Sequence, residues 1–168
     1  MKTRKLRLVS ALLAVAMMLA LLPTAAFAAD GELPTSGTCG AKGNEKNVHW
    51  TLDPDGTMTI SGSGKMADYG KDPETHTVYN PPWVGQKGNI KKLVVEGGVT
   101  SIGNDAFRGC TALENVDLSK ASSLEVIKTS FPGCDVLESV ELNEGLKEIG
   151  GSAFNTCTSL KSIHIPST

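Results

Sequence analysis

Ile90-Lys-Lys-Leu-Val-Val95, Leu113-Glu-Asn-Val-Asp-Leu118, Leu137-Glu-Ser-Val-Glu-Leu142 and Leu160-Lys-Ser-Ile-His-Ile165 are four versions of one phrase. Their first residues stand 23, 24 and 23 positions apart. Phe107, Phe131 and Phe154 follow at steps of 24 and 23, and Cys110, Cys134 and Cys157 keep the same steps. A repeat of this regularity means that one small structural unit is stacked on copies of itself.

A period of roughly 20 to 29 residues carrying L-x-x-L-x-L predicts a β-rich leucine-rich repeat solenoid. Its short parallel strands line a concave face, and its convex side is made of short helical turns or loops. In the first copy Ile90, Leu93 and Val95 point inward from the strand, while Lys92, Val94 and Glu96 face out. Val99 and Ile102 fill the core from the next side, Gly103 permits a tight bend, and Phe107 reaches back towards the strand. Leu146, Ile149, Gly150, Phe154 and Cys157 repeat the plan in the third copy. Stacked units bring like residue over like at a spacing of about 5 Å.

The second copy departs from the others. It carries two extra residues before Ile127 and one fewer between Ile127 and Phe131, and Ser130 replaces the Ala found before the other two Phe. Its strand is expected to hold register while its convex segment bulges.

The first 28 residues are expected to be a secretory signal. Lys2, Arg4, Lys5 and Arg7 form a basic front, Leu8 to Leu22 is uncharged and apolar, and Ala26-Phe27-Ala28 gives the small-x-small cleavage pattern before Ala29. An uncleaved membrane anchor is the alternative, but the apolar run is shorter than the roughly 20 residues of a spanning helix; no second apolar run follows, so no membrane insertion of the mature chain is expected. Cleavage would remove four basic residues and no acidic ones, leaving 12 Lys and Arg against 18 Asp and Glu, a net of −6. That balance argues against nucleic acid, whose phosphates demand a basic surface. The remaining residues suit one domain.

Residues 29–36 read as a mobile leader. Residues 37–89 read as an N-terminal β-hairpin cap with a return loop, and 90–168 as three complete repeats and one truncated one. The hairpin follows from alternation: Val48, Trp50 and Leu52 on one side of Asp53-Pro54-Asp55-Gly56, Met58 and Ile60 on the other. One face of such a hairpin must be covered, and the open end of the repeats is the available partner. Trp83 is expected to anchor the return loop by burial. A sugar platform built from Trp83, Tyr69 and Tyr79 is the alternative.

The fragments Ser101-Ile-Gly-Asn-Asp-Ala-Phe-Arg-Gly-Cys110 and Glu148-Ile-Gly-Gly-Ser-Ala-Phe-Asn-Thr-Cys157 resemble the BspA-like leucine-rich repeats of bacterial exported and cell-surface proteins. Cys39-Gly40, Val48 to Asp53, Asp55 to Gly62 and Pro82-Trp83 are similar to the amino-terminal segment of such proteins. The resemblance implies an exported bacterial protein, secreted or at the cell surface, with adhesion or ligand binding as its role. It implies no particular ligand.

The concave face supplies the candidate binding residues. Its central outward column is Val94, Asp117, Glu141 and His164, flanked by Lys92, Asn115, Ser139 and Ser162 on one side and by Glu96, Ser119, Asn143 and Pro166 on the other. An extracellular protein or glycan is the expected partner. Ser162, His164 and Glu141 lack the pocket and oxyanion donors that a hydrolase needs, so no enzyme is expected. Three Cys in a line cannot enclose zinc. Parallel neighbours place their Cβ atoms poorly for a disulfide, which leaves buried thiols as the favoured reading and a bridge as the alternative. No cofactor is implied. The rival to a binding protein is a structural spacer, or a piece of a longer surface protein, able to self-associate through an exposed Leu160–Ile165 edge.

Overall fold

Alternating apolar and hydroxyl-bearing residues build the first part of the fold. The computed structural model describes residues 33–166, and the stretch 1–28 expected to be a secretory signal lies outside the described residues. β1 (Ser36–Thr38), β2 (Val48–Leu52) and β3 (Thr57–Gly62) form an antiparallel ribbon. β1 begins one residue inside the stretch read as a leader. Val48, Trp50, Leu52, Met58 and Ile60 bury one face of the ribbon. The turn between β2 and β3 is closed by the Gly56 amide donating to Asp53 (2.9 Å) and by the Thr57 amide donating to the Asp55 carboxylate (2.9 Å).

The chain continues through β4 (Gly64–Lys65) and an exposed small hairpin, β5 (Gly70–Lys71) and β6 (Val78–Tyr79). Each repeat then gives two strands. The first copy gives β7 (Lys92–Val95) and β8 (Val99–Ile102), the second β9 (Asn115–Asp117) and β10 (Val126–Ile127), the third β11 (Ser139–Glu141) and β12 (Glu148–Ile149).

Two sheets result. One has the order β1-β2-β3-β7-β9-β11, parallel from β3 onward; the other has the order β12-β10-β8-β4 and is parallel throughout. Registers in the first sheet are Met58 beside Leu93, Leu93 beside Val116, and Val116 beside Val140. The second sheet is more regular than sequence reasoning supplied, which gave Val99 and Ile102 only as core filling. The fourth copy falls short of a strand and keeps a single parallel bridge between Ile163 and Val140. Ile165, at the position that Val95 holds in the first copy, is 62% exposed.

Between the second-sheet strand of one copy and the first-sheet strand of the next, the chain forms turns. The amides of Asp105, Phe107 and Gly109 donate to the carbonyls of Thr129, Ser130 and Pro132 in the next copy, and those of Phe131 and Gly133 donate to Ala153 and Asn155. Amides committed to a neighbouring copy cannot close helical i→i−4 bonds. Among the described residues the one helical element is the 3₁₀ turn Val84–Gln86. Gly103 is required at its bend, since a Cβ there would collide with the Ala67 carbonyl.

The core is a set of columns. Phe107 stacks on Phe131 with ring centroids 5.3 Å apart and planes 10° off parallel, and Phe131 on Phe154 at 5.3 Å and 1°. Phe107 and Phe131 are fully buried and contribute roughly 1.5–3 kcal/mol each, Phe154 is partly buried, and stacking adds about 0.5–1.5 kcal/mol. Trp83 extends the column at 5.4 Å from Phe107, and its indole N–H donates to the Ala106 carbonyl (2.9 Å). β3, β4 and Trp83 thus occupy the three stations that a repeat would fill. Beside the rings run the thiols. Cys134 Sγ donates to the Phe107 carbonyl (3.2 Å) and Cys157 Sγ to the Phe131 carbonyl (3.3 Å), so each thiol caps a group of the preceding copy.

The second copy corrects one expectation. Its extra residues lie at the corner between the two sheets, where Ala121 and Leu124 turn inward and are buried, rather than in the convex segment. The segment between Ile127 and Phe131, expected to bulge, is one residue shorter instead. Ser130 is buried there, with its hydroxyl 3.0 Å from the Gly103 carbonyl oxygen that a shorter turn brings near.

Candidate binding face

Sheet alternation decides which side chains look outward from the six-stranded sheet. In the repeats these are Lys92, Asn115 and Ser139 in one row and Val94, Asp117 and Glu141 in the next, in direct register across β7, β9 and β11. Ser162 and His164 flank the Ile163 bridge and are exposed beside Ser139 and Glu141. All eight residues read from the sequence therefore lie on one surface. Asn143, expected to face out beside Ser119, is buried instead (3% exposed), with its amide donating to the Leu124 carbonyl (2.8 Å). Pro166, expected in the same row, is buried too.

The rows do not stop at the first repeat. Thr57 stands beside Lys92 and Thr59 beside Val94, Thr51 lies opposite Thr59, and Ser36 opposite Thr51. The surface is therefore longer by three strands and richer in hydroxyls than the repeats alone. In the sequence Thr51, Thr57 and Thr59 alternate with the apolar residues of the hairpin and Ser36 ends the stretch read as a leader, but none of them was joined to the columns. The signal was the spacing Thr57-x-Thr59-x-Ser61, which matches the pleat of β7.

Electrostatically the face is mixed. Lys92 Nζ lies 3.8 Å from Asp117 Oδ2, while Asp117 Oδ1 accepts from the Ser119 hydroxyl (2.6 Å) and amide (3.1 Å). The Ser119 hydroxyl is the main cause holding the Asp117 carboxyl below its ordinary value, opposed by partial burial and helped by Lys92. The Ser139 hydroxyl donates to the Asn115 side-chain oxygen (2.7 Å). The side chains of Glu141 and His164 make no hydrogen bond among the described residues, and neither is tied to Ser162. Such a surface can present hydrogen-bond donors, acceptors and a small acidic patch; it carries no nucleophile held against a base. Trp83 cannot serve as a sugar platform, because it is wholly buried between Trp50, Tyr69 and Phe107. Among the described residues no group of three or more His, Cys, Asp or Glu is placed to hold a metal ion.

Residues 85–168 match the model of the BspA type leucine rich repeat region. The chain belongs to this family. Solved structures similar to this BspA-type chain come from other bacteria. A leucine-rich repeat protein of Eubacterium ventriosum is 30% identical with a TM-score of 0.58, over 73% of this chain and 30% of that one. A Treponema pallidum leucine-rich repeat protein is 28% identical with a TM-score of 0.45, over 72% of this chain and 48% of that one. A leucine-rich cell surface protein of Faecalibacterium prausnitzii is 19% identical with a TM-score of 0.37, over 82% of this chain and 44% of that one. The BspA-type chain thus spans less than half the length of each of these proteins. No curated protein matches it.

Proposed function

We propose that the chain is an exported, non-enzymatic binding protein. In this reading the hairpin caps one end of a repeat solenoid, whose concave sheet face meets an extracellular protein or glycan. The observation that carries the reading is the unbroken run of outward residues from Ser36 and Thr51 through Thr59 and Val94 to Asp117 and Glu141. Side chains set on paired strands are held in fixed positions, which lowers the entropy cost of engaging a partner. Export to the secreted or cell-surface space rests on the leader at residues 1–28, with cleavage near Ala28 and Ala29. No helix among the described residues is long and apolar enough to cross a membrane.

An array of immobilised matrix proteins and glycans tests the proposal, comparing wild type with an Asp117→Ala/Glu141→Ala variant. Saturable binding that the double substitution weakens is the expected result. Binding unchanged by both substitutions overturns the assignment of the face.

A second reading, a structural spacer within a longer surface protein, is favoured by one observation. Lys92, Asp117, Ser119, Asn115 and Ser139 satisfy one another, as residues without a partner would. In that reading the exposed Ile163–Ile165 edge supports self-association. Sedimentation over a range of concentrations, with and without an Ile165→Lys substitution, separates the two: a spacer associates through this edge and shows no saturable ligand.

A further inference from the structure

At the turn end of β2 and β3, away from the face just described, lies a cleft of about 620 Å³. That size falls within the roughly 300–1,000 Å³ usual for small-molecule sites. Three segments distant in sequence build it: Thr35 before β1, Leu52 to Gly56 in the hairpin turn, and Gln86 to Lys91 in the return loop. The third segment is fixed on both sides. Trp83, wholly buried, anchors the 3₁₀ turn that carries Gln86, and the Lys91 amide donates to the Gly56 carbonyl (2.9 Å). Gly56 has a φ of +90°, and any side chain on it would collide with the Asn89 carbonyl oxygen.

The polar groups around this cleft are not consumed by the fold. Gln86 is only 6% exposed, and its amide nitrogen is committed to the Pro34 carbonyl, which holds the group rigid. Its side-chain oxygen makes no hydrogen bond among the described residues. The same holds for the Asp53 carboxylate, the Asn89 amide, the Lys91 ammonium and the Thr35 hydroxyl. Leu52 and Pro54 add an apolar wall.

We propose that this cleft binds the terminal residue of a neutral saccharide. Asp53 and Lys91 on the rim offset one another, and Asp55 in the same turn also faces Lys91, so a strong anion is not favoured. A carboxylate that only accepts, an ammonium that only donates, and amides and a hydroxyl that do both match the alternating donors and acceptors of adjacent ring hydroxyls. Burying ring C–H groups against the exposed Pro54 supplies the apolar part of the contact. The site shares no residue with the strand face, so it stands or falls independently of that face.

Ligand-observed NMR on the purified chain tests it. The probes are glucose, galactose, mannose, N-acetylglucosamine and their β-linked disaccharides, with diglycine and inorganic phosphate alongside. At least one saccharide should saturate. Asp53→Asn and Asn89→Ala should each weaken it by about tenfold or more, as loss of a hydrogen bond to a charged or rigid group does. Asp117→Ala/Glu141→Ala should leave it unchanged. Should Asn89→Ala melt earlier than wild type, Lys91→Gln, whose side chain is exposed, takes its place. Absence of saturation by every sugar overturns the proposal, as does saturation indifferent to the cleft substitutions. Preferential binding of diglycine would identify a zwitterion site instead, and preferential binding of phosphate an anion site; either result also overturns it.

Discussion

The Trp83 indole lies on the Phe107 ring at 5.4 Å and 18°, nearly the relation that Phe107 itself bears to Phe131. A residue outside the repeats has taken over a repeat's ring position. Its neighbours differ, however, because Trp50 and Tyr69 approach it edge-on at 5.6 and 5.9 Å. Trp83 is thus where the ribbon, the return loop and the first repeat meet.

Trp83→Ala should therefore cost about 3–5 kcal/mol, the usual penalty for emptying a large aromatic site. Trp83→Phe keeps a ring but removes the donor to Ala106, leaving a buried carbonyl unpaired at a cost of about 1–3 kcal/mol. Urea unfolding followed by tryptophan fluorescence or circular dichroism measures both. A negligible loss for Trp83→Ala would mean that the column does not need its first ring.

Thr156 tells the opposite story. Gly109 and Gly133 precede Cys110 and Cys134 with φ of 68° and 75°, and the same place before Cys157 is filled by Thr156 at φ 58°. A β-branched residue is strained in that region by about 1–3 kcal/mol, partly offset by the greater unfolded-state freedom of glycine. Thr156→Gly should raise stability by about 0.5–1 kcal/mol, read as a higher urea midpoint. Gly133→Thr should lower it.

Asp68 joins three parts of the chain. Its carboxylate accepts from the Asn104 amide (2.8 Å) and from Lys128 Nζ (2.6 Å), linking the loop after β4 to the first and second repeats. Both side chains of the ion pair are substantially exposed, so water screens it. Asp68→Asn should cost only about 0.2–1 kcal/mol. The difference from wild type should shrink in high salt. Thermal melts at low and high ionic strength check the sign.

The buried thiols make stability fall in alkali. Burial pushes Cys39 and Cys110 from an ordinary 9.0 up to about 12, and raises Cys134 and Cys157 as well. Below about pH 9 the thiols are protonated in both states and the contribution is whole. Above it the unfolded chain releases protons that the folded chain retains, so stability declines as pH rises towards 12. Unfolding free energies between pH 8 and 11 should fall more steeply for wild type than for Cys110→Ala. Parallel slopes would mean that the thiol titrates alike in both states.

Much of this was legible in the residues. The phrase Leu113-x-x-Val116-x-Leu118 carries its own strand direction, and a constant step places Asn115 beside Ser139 and Asp117 beside Glu141 without further information. The second sheet was harder to see. Its strands β10 and β12 have two residues each and bring one inward isoleucine apiece, Ile127 and Ile149, too few to show alternation. Asn143 was misjudged because its outward position is overridden by the bulged corner of the second copy, whose Leu124 carbonyl claims its amide. The hydroxyl rows of the ribbon were missed for a different reason. Pairing of Thr59 with Val94 joins residues far apart in sequence, so the spacing Thr57-x-Thr59-x-Ser61 shows a strand without naming its neighbour.

A segment that offers two strand edges and a ring together is a finished neighbour for whatever emerges next. A polypeptide emerging amino end first would deliver β3, β4 and Trp83 before any repeat. Each later unit would then settle onto an existing template, and the sequence of arrival would coincide with the sequence of assembly.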